Sequence, residues 1–445
     1  MTQIRPVAGS WTELLADTAL RSPDRVAFGY LADGEVPAGE LTYARLDSMA
    51  RMIGAHLQGL GLAGRRVLLL YPSGLDYVAA FFGCLYAGAV AVPAYPPTRQ
   101  ARSLERIAGI IQDCGVDTAL TTEEFAARLA SRAPAVAGLR LVATDSVARG
   151  AAADGWTPYR ADERTTAFIQ YTSGSTSSPR GVVLSHGNLL SNAHVTQQAF
   201  GTSTDTRVVS WLPMYHDMGL IGSVLGTVYC GGSCVLMSPS AFAQRPARWL
   251  EAISAAGGTA SGGPNFAYDL CVDRIGPEER AALDLSSWEV AFNGAEPLRP
   301  STLRRFADAF ADSGFRAEAL TPCFGLAEAS TVSPRATWGG PSSPRPPSRP
   351  LWPAPPRRTS CARATWGTGP GASSTWWAGS RTSSSCAAGT TIRRTSNRPS
   401  STAIRLCVPA GERPSPSPAA VTTGPNNSPS CTNSTAASTA TARRW

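Results

Sequence analysis

The sequence predicts an α/β fold, with mostly parallel sheets flanked by helices, on three observations. Short apolar runs rich in Val, Leu and Ala recur between residues 65 and 293, with helix-length segments between them. Gly and Pro stand at the ends of those runs, where they close strands and open loops. The chain has 445 residues, 43% of them hydrophobic, which suffices for two or three domains and a sizeable core.

From Trp11 to Arg149 helical and strand-like units alternate. Residues 65–71 read as a buried strand, 76–87 as a helix and 89–95 as the next strand, which makes a βαβ unit. Residues 79–95 are the most apolar run, but Gly83, Gly88 and Pro93 divide it, so no membrane span is expected. Pro96 and Pro97 open a loop. Further strands are expected at 117–121, 139–143, 167–171, 207–212, 233–237 and 288–293, with helices between them. Residues 182–194, VVLSHGNLLSNAH, read as leading into one of those helices.

Charge divides the chain in two. Residues 1–334 hold 26 Arg and 31 acidic residues, a net of −5, whereas 335–445 hold 14 Arg and a single acid, Glu412, a net of +13. The basic balance therefore belongs to the tail, and the half with recognisable motifs offers no basic helix or aromatic-interleaved patch. Nucleic acid is discounted as a partner. The ten Cys show no CxxC or His-paired metal spacing and read as reduced thiols, and the N-terminus has no apolar signal core. A cytoplasmic protein is expected.

Five strings carry chemistry. Residues 171–190, YTSGSTSSPRGVVLSHGNLL, combine hydroxyl donors at Thr172, Ser173, Ser175 and Thr176 with the flexible Gly174 and Gly181 and the cation of Arg180. That combination suits the phosphates of a nucleotide, and its lead-in from an apolar strand argues against a Ser/Gly linker. Residues 211–222, WLPMYHDMGLIG, set Tyr215, His216 and Asp217 side by side, with Met218 next. By itself such a cluster is more often structural than functional. Residues 263–271, GPNFAYDLC, place Asn265, Phe266 and Asp269 at a helix start after Pro264, equally suited to a pocket wall or plain core. Residues 293–297, NGAEP, alone mark only a turn, and 323–328, CFGLAE, offer Phe324 for stacking and Glu328 as an oxygen ligand.

With residues 41–46 (LTYARL) and 92–97 (VPAYPP), these strings resemble, in order, the adenylate-forming superfamily, and fatty acyl-AMP ligases most closely. Arg180 and Phe324 depart from the family's usual Lys and Tyr, which alters donor geometry at the first and removes a hydroxyl at the second. The resemblance implies a large N-terminal adenylation domain over 1–334, which activates a long-chain fatty acid with ATP and Mg²⁺ to an acyl-adenylate. The acceptor it implies is an acyl carrier protein of a polyketide or lipopeptide pathway; CoA is the alternative, and a non-catalytic nucleotide-binding remnant a third reading. It assigns Thr172, Ser173, Gly174, Ser175, Thr176, Arg180 and Gly181 to the ATP phosphates, and Asn293, Gly294, Ala295, Glu296, Phe324 and Gly325 to the nucleoside. Thr176 and Glu328 would hold the metal, and Tyr215, His216, Met218, Asn265, Phe266 and Asp269 the acyl group. His216, Arg180 and Glu328 are its catalytic candidates.

Beyond residue 334 the periodicity stops, and Pro, Ser, Thr, Arg, Trp and Gly dominate. A disordered basic tail is one expectation. The recurrent Trp argues for another, translation out of frame. Joining the third base of each codon to the first two of the next forces Trp376-Trp377 to Val and Trp377-Ala378 to Gly. With permitted codons, 361–367 re-reads as RTGDLG and 375–397 as VVGRIKDLLIVRGRNHYPQDIE, both similar to late motifs of the same family. The expectation is a frame break between Ala329 and Cys361, which leaves the small C-terminal domain missing, the tail at 335–445 disordered and adenylation impaired.

Overall fold

A computed structural model of the protein describes residues 8–97, 100–132, 136, 138–150, 155–172, 179–327 and 331–334. The tail at 335–445 lies outside them. In chain order the strands are β1 (Val26–Ala32), β2 (Val36–Thr42), β3 (Arg66–Leu69), β4 (Val90–Pro93), β5 (Thr118–Thr121), β6 (Arg140–Ala143) and β7 (Thr166–Thr172). They continue with β8 (Arg180–Ser185), β9 (Arg207–Ser210), β10 (Ser233–Met237), β11 (Ala260–Gly263), β12 (Val290–Asn293), β13 (Leu320–Leu326) and β14 (Thr331–Pro334).

Among the described residues these strands form two sheets. One has eight strands, ordered β14-β13-β12-β11-β9-β10-β1-β2, and the other six, ordered β6-β5-β3-β4-β7-β8. Antiparallel pairs occur at the sheet margins, β1 with β2, β13 with β14 and β7 with β8; the interior pairs are parallel. The mostly parallel α/β expectation therefore holds.

Burial explains the local choices. Every residue from Tyr77 to Ala87 of the helix Leu75–Ala87 is buried, so it is apolar on all sides, as a helix inside a core must be. Its neighbours in one hydrophobic cluster come from both sheets, including Val67 and Phe168 of the smaller and Phe28 and Leu236 of the larger. A second cluster covers the larger sheet with aromatic rings, among them Trp249, Tyr268, Trp288 and Phe306. The Tyr268 and Phe306 centroids lie 4.9 Å apart at 89°, an edge-to-face contact.

Two expectations change. Residues 180–185 are a strand and not the approach to a helix, which begins only at His186 (His186–Phe200). Ser185 starts that helix with a reciprocal cap, its hydroxyl accepting from Asn188 N and its own N–H donating to Asn188 Oδ1. Gly181 is no turn residue either. A Cβ there would lie 2.8 Å from Ile169 Cγ2 and 3.1 Å from Tyr171 Cζ, so its role is the close passage of β8 along β7.

His186 ties this helix to the N-terminal one (Trp11–Arg21). It is 2% exposed, and its Nδ1 accepts the Trp11 N–H at 3.1 Å. Burial pushes the imidazole down from 6.5 to about 4, with Asp162 opposing the shift. A histidine protonated later in the folded than in the unfolded chain stabilises fully above 6.5, and that contribution drains away as pH falls towards 4. Roughly 2 kcal/mol should be lost between pH 7 and pH 5 through this residue. Urea unfolding of wild type and His186→Gln at both values checks it, because the variant should lose that part of the slope.

Candidate functional site

Parallel strands aim their carboxyl ends the same way, and the loops that follow them gather at one edge. At that edge of the larger sheet lie 211–217 after β9, Pro264 after β11, 294–297 after β12, and the outer half of β13. Four of the strings singled out in the sequence are thus brought together. Strand β7, which precedes residues 173–176, reaches the same place from the smaller sheet, since Gln170 Nε2 donates to Tyr215 O at 3.0 Å.

The histidine loop is pinned from several sides. Tyr77 donates its hydroxyl to Met214 O at 2.7 Å, and the Tyr95 and Tyr215 rings pack at 5.9 Å. His216 Nδ1 is 2.7 Å from Asp217 Oδ1, and Met218 N donates to that same oxygen at 2.7 Å. A second approach, Met218 N to His216 Nδ1, is longer at 3.3 Å. A proton on Nδ1 satisfies the shorter contact, which leaves Nε2 as the nitrogen available to a ligand. Burial alone would raise the Asp217 carboxyl, but the hydrogen bond and charge of His216 and the Met218 N–H outweigh it and hold it below its ordinary value. The His216 side chain is 53% exposed while that of Asp217 is 17% exposed. Asp217 orients; His216 presents.

After Asp217 the chain forms a π-helix, Met218–Leu225, a form frequent at functional sites. Gly219 is obligatory within it, because a Cβ would lie 2.2 Å from Pro213 O.

The loop at 294–297 is held from below. Asn293 Nδ2 donates to Gly263 O at 3.0 Å, and Asn265 Nδ2 to Pro297 O at 2.9 Å. Ala295 takes a left-handed φ of 67°, which turns the backbone sharply outward. A Cβ on Gly294 would meet Cys323 Sγ at 2.7 Å and Met218 Cε at 3.2 Å, so this loop, β13 and the π-helix converge there. Beyond them Phe324, next to Gly325, is 53% exposed.

Other candidates are placed differently. Asn265 is fully buried and engaged with the backbone of Pro297 and Arg299, so it shapes the loop from behind. Glu296 accepts from Phe266 N at 3.3 Å. Asp269 is committed to the helix Pro300–Phe310, accepting from Thr302 Oγ1 at 3.0 Å and Arg305 Nη1 at 3.1 Å, which directs it to helix packing rather than to an acyl wall. Thr172 and Arg180 face each other across β7 and β8. Ser173, Gly174, Ser175, Thr176 and Glu328 lie outside the described residues.

A cavity lies beside this cluster. Met218, Phe292 and Cys323 line it next to the site, while Ala193, Gln197 and Phe200 wall it from the helix His186–Phe200. No pattern in the sequence points to that helix face. Gln170 was also missed, although a single amide in the apolar run 167–171 was its signal.

Comparison with known proteins agrees with this geometry. Residues 15–368 match the family described as AMP-binding enzyme. A medium-chain-fatty-acid–[acyl-carrier-protein] ligase, JamA of Moorena producens, is 40% identical over 334 residues, covering 74% of this chain and 56% of its own. The long-chain-fatty-acid–AMP ligase FadD32 of Mycolicibacterium smegmatis is 38% identical, over 69% of this chain and 50% of its own. The crystal structure of a fatty acyl-adenylate ligase from Legionella pneumophila, in complex with acyl adenylate and pyrophosphate, superposes with a TM-score of 0.68 at 41% identity, covering 72% and 56%. The chain spans about half the length of the curated relatives it matches.

Proposed function

The chain belongs to the AMP-binding enzyme family, and on that footing we propose that it is built to activate a fatty acid with ATP, giving an acyl-adenylate and pyrophosphate. The observation that carries the reading is the convergence, at one sheet edge, of the exposed His216, the half-exposed ring of Phe324 and the Met218, Phe292 and Cys323 wall of a largely apolar cavity.

In the reaction a carboxylate oxygen attacks the α-phosphorus of ATP. The new O–P bond forms as the bond to the β-phosphate bridging oxygen breaks, and pyrophosphate leaves with that electron pair. Positioning and charge stabilisation suffice. Phe324 stacks the adenine, the 293–297 loop flanks it, and the hydroxyls of 172–176 with Arg180 take the β- and γ-phosphates. Nε2 of His216 faces the carboxylate and phosphate oxygens, with Asp217 fixing the ring. The tail of the acid enters the cavity beside Met218. Thr176 and Glu328 supply hard oxygen donors of the kind Mg²⁺ takes, and the ion would neutralise phosphate charge. Among the described residues no group of three His, Cys, Asp or Glu could hold a metal.

The acyl group then passes to the phosphopantetheine thiol of a carrier protein, as the names of relatives such as JamA suggest. A frame break between residues 329 and 361 impairs the 445-residue product. The acceptor is tested with frame-restored protein, labelled hexadecanoate and ATP, followed by either a holo carrier protein or CoA. Labelled carrier is the expected product; acyl-CoA alone would overturn that part of the reading.

A further inference from the structure

Three glycines lie on the segment that walls the cavity, and they are not alike. Gly219 is dictated by packing, since Pro213 O occupies the place of its Cβ. Gly226 has room for one, with Ile221 O at an ordinary 3.6 Å. At Gly222 a Cβ would meet no atom within 4 Å, and the residue lines the cavity. Nor does its backbone need glycine, for it is not among the residues with positive φ. Glycine inside a helix is unfavourable relative to alanine, by about fivefold in the folding equilibrium. Nothing in the fold accounts for that cost at position 222. The empty space beside it does.

Resting on the acyl-cavity reading above, we infer that Gly222 sets the length of the acid the cavity admits. The order along the wall supports this. Met218 stands two residues from His216, where the carboxylate is held; Gly222, Gly226 and Cys230 follow at successive intervals of four, and all line the cavity. A chain that enters at His216 passes Met218 first, then Gly222, and reaches Gly226 and Cys230 last. A side chain at 222 closes the passage about 5 Å beyond Met218, roughly one helical turn. Each methylene shut out should cost about fourfold in affinity. A side chain at 226 closes it one turn later, so the two positions should set two different cut-offs.

The test is displacement of a fluorescent fatty-acid probe from the full 445-residue chain by octanoate, dodecanoate and hexadecanoate. Wild type is expected to bind hexadecanoate more tightly than octanoate. Gly222→Leu should weaken hexadecanoate and dodecanoate at least about tenfold, a few methylenes' worth, and leave octanoate nearly unchanged. Gly226→Leu should spare dodecanoate and weaken hexadecanoate. Gly222→Ala, which adds one carbon to open space, should melt within a degree or two of wild type and serves as the folding control. Equal losses for all three acids, or unchanged binding in both leucine variants, would overturn the assignment of Gly222 while leaving the cavity as an acyl site. Failure of wild type to bind any of the acids would instead overturn the acyl-cavity reading, and this inference with it.

Discussion

Restoring the reading frame between codons 329 and 361 should raise hexadecanoate-dependent ATP–pyrophosphate exchange by about two orders of magnitude over the 445-residue product, the usual effect of losing one precise positioning element. The expectation rests on what the tail encodes when re-read. On the proposed re-reading RTGDLG falls on 361–367, and its aspartate, to which the resemblance assigns the ribose hydroxyls, falls at the Ala364-Thr365 junction. An adenylyl transfer in which α-phosphate and carboxylate must meet in line tolerates little looseness in the nucleoside. ATP binding should change far less, because the phosphate loop and the 293–297 loop precede the break. Equal exchange by the two proteins would remove the frame break from the account.

The second large effect is expected from Gly219→Ala. Its added carbon would sit 2.2 Å from Pro213 O and 3.2 Å from Leu212 O, and both obstacles are backbone. No side-chain rotation relieves the clash, so the turn that carries His216 or the π-helix behind it must move. Overpacking of this kind costs about 1–3 kcal/mol, and here the displaced segment is the one that presents the imidazole. Stability by thermal unfolding should fall by that amount and acid binding should be lost along with it. Gly222→Ala, one turn on, is expected to cost nothing measurable. If the two variants melt alike, the packing assigned to Gly219 is wrong.

Periodicity and punctuation located the interior parallel strands, because a strand buried on both faces must be apolar along its length. The βαβ unit of β3, the helix Leu75–Ala87 and β4 was legible for that reason. Other strands were not. β11 is ASGG, four small residues whose strand state comes from neighbours that leave no space, since a Cβ on Gly262 would lie 2.0 Å from Phe292 O. β2 is exposed over most of its length and exists as the partner of β1. β8 was absorbed into the helix after it, because VVL fits either period.

In the site, the strings named the loops but not the roles within them. Asn265 and Asp269 stand in a motif equally suited to a pocket wall or plain core, and each is committed to holding backbone or helix. Such commitments depend on residues about 30 positions away and leave no local trace. The inner face of the helix His186–Phe200 was invisible for the same reason, whereas Gln170 left a local trace, a lone amide in an apolar run, that did not reveal its partner Tyr215. Tertiary contact decides which side chain of a motif faces a ligand.

The central claim is attack of a carboxylate on the α-phosphate at the edge marked by His216 and Phe324. Its most direct test is a single turnover of frame-restored protein with ¹⁸O-labelled hexadecanoate and ATP, followed by release of the acyl group to hydroxylamine. One ¹⁸O is expected in AMP and none in pyrophosphate. Label in pyrophosphate or inorganic phosphate, or unlabelled AMP from a complete turnover, would contradict it.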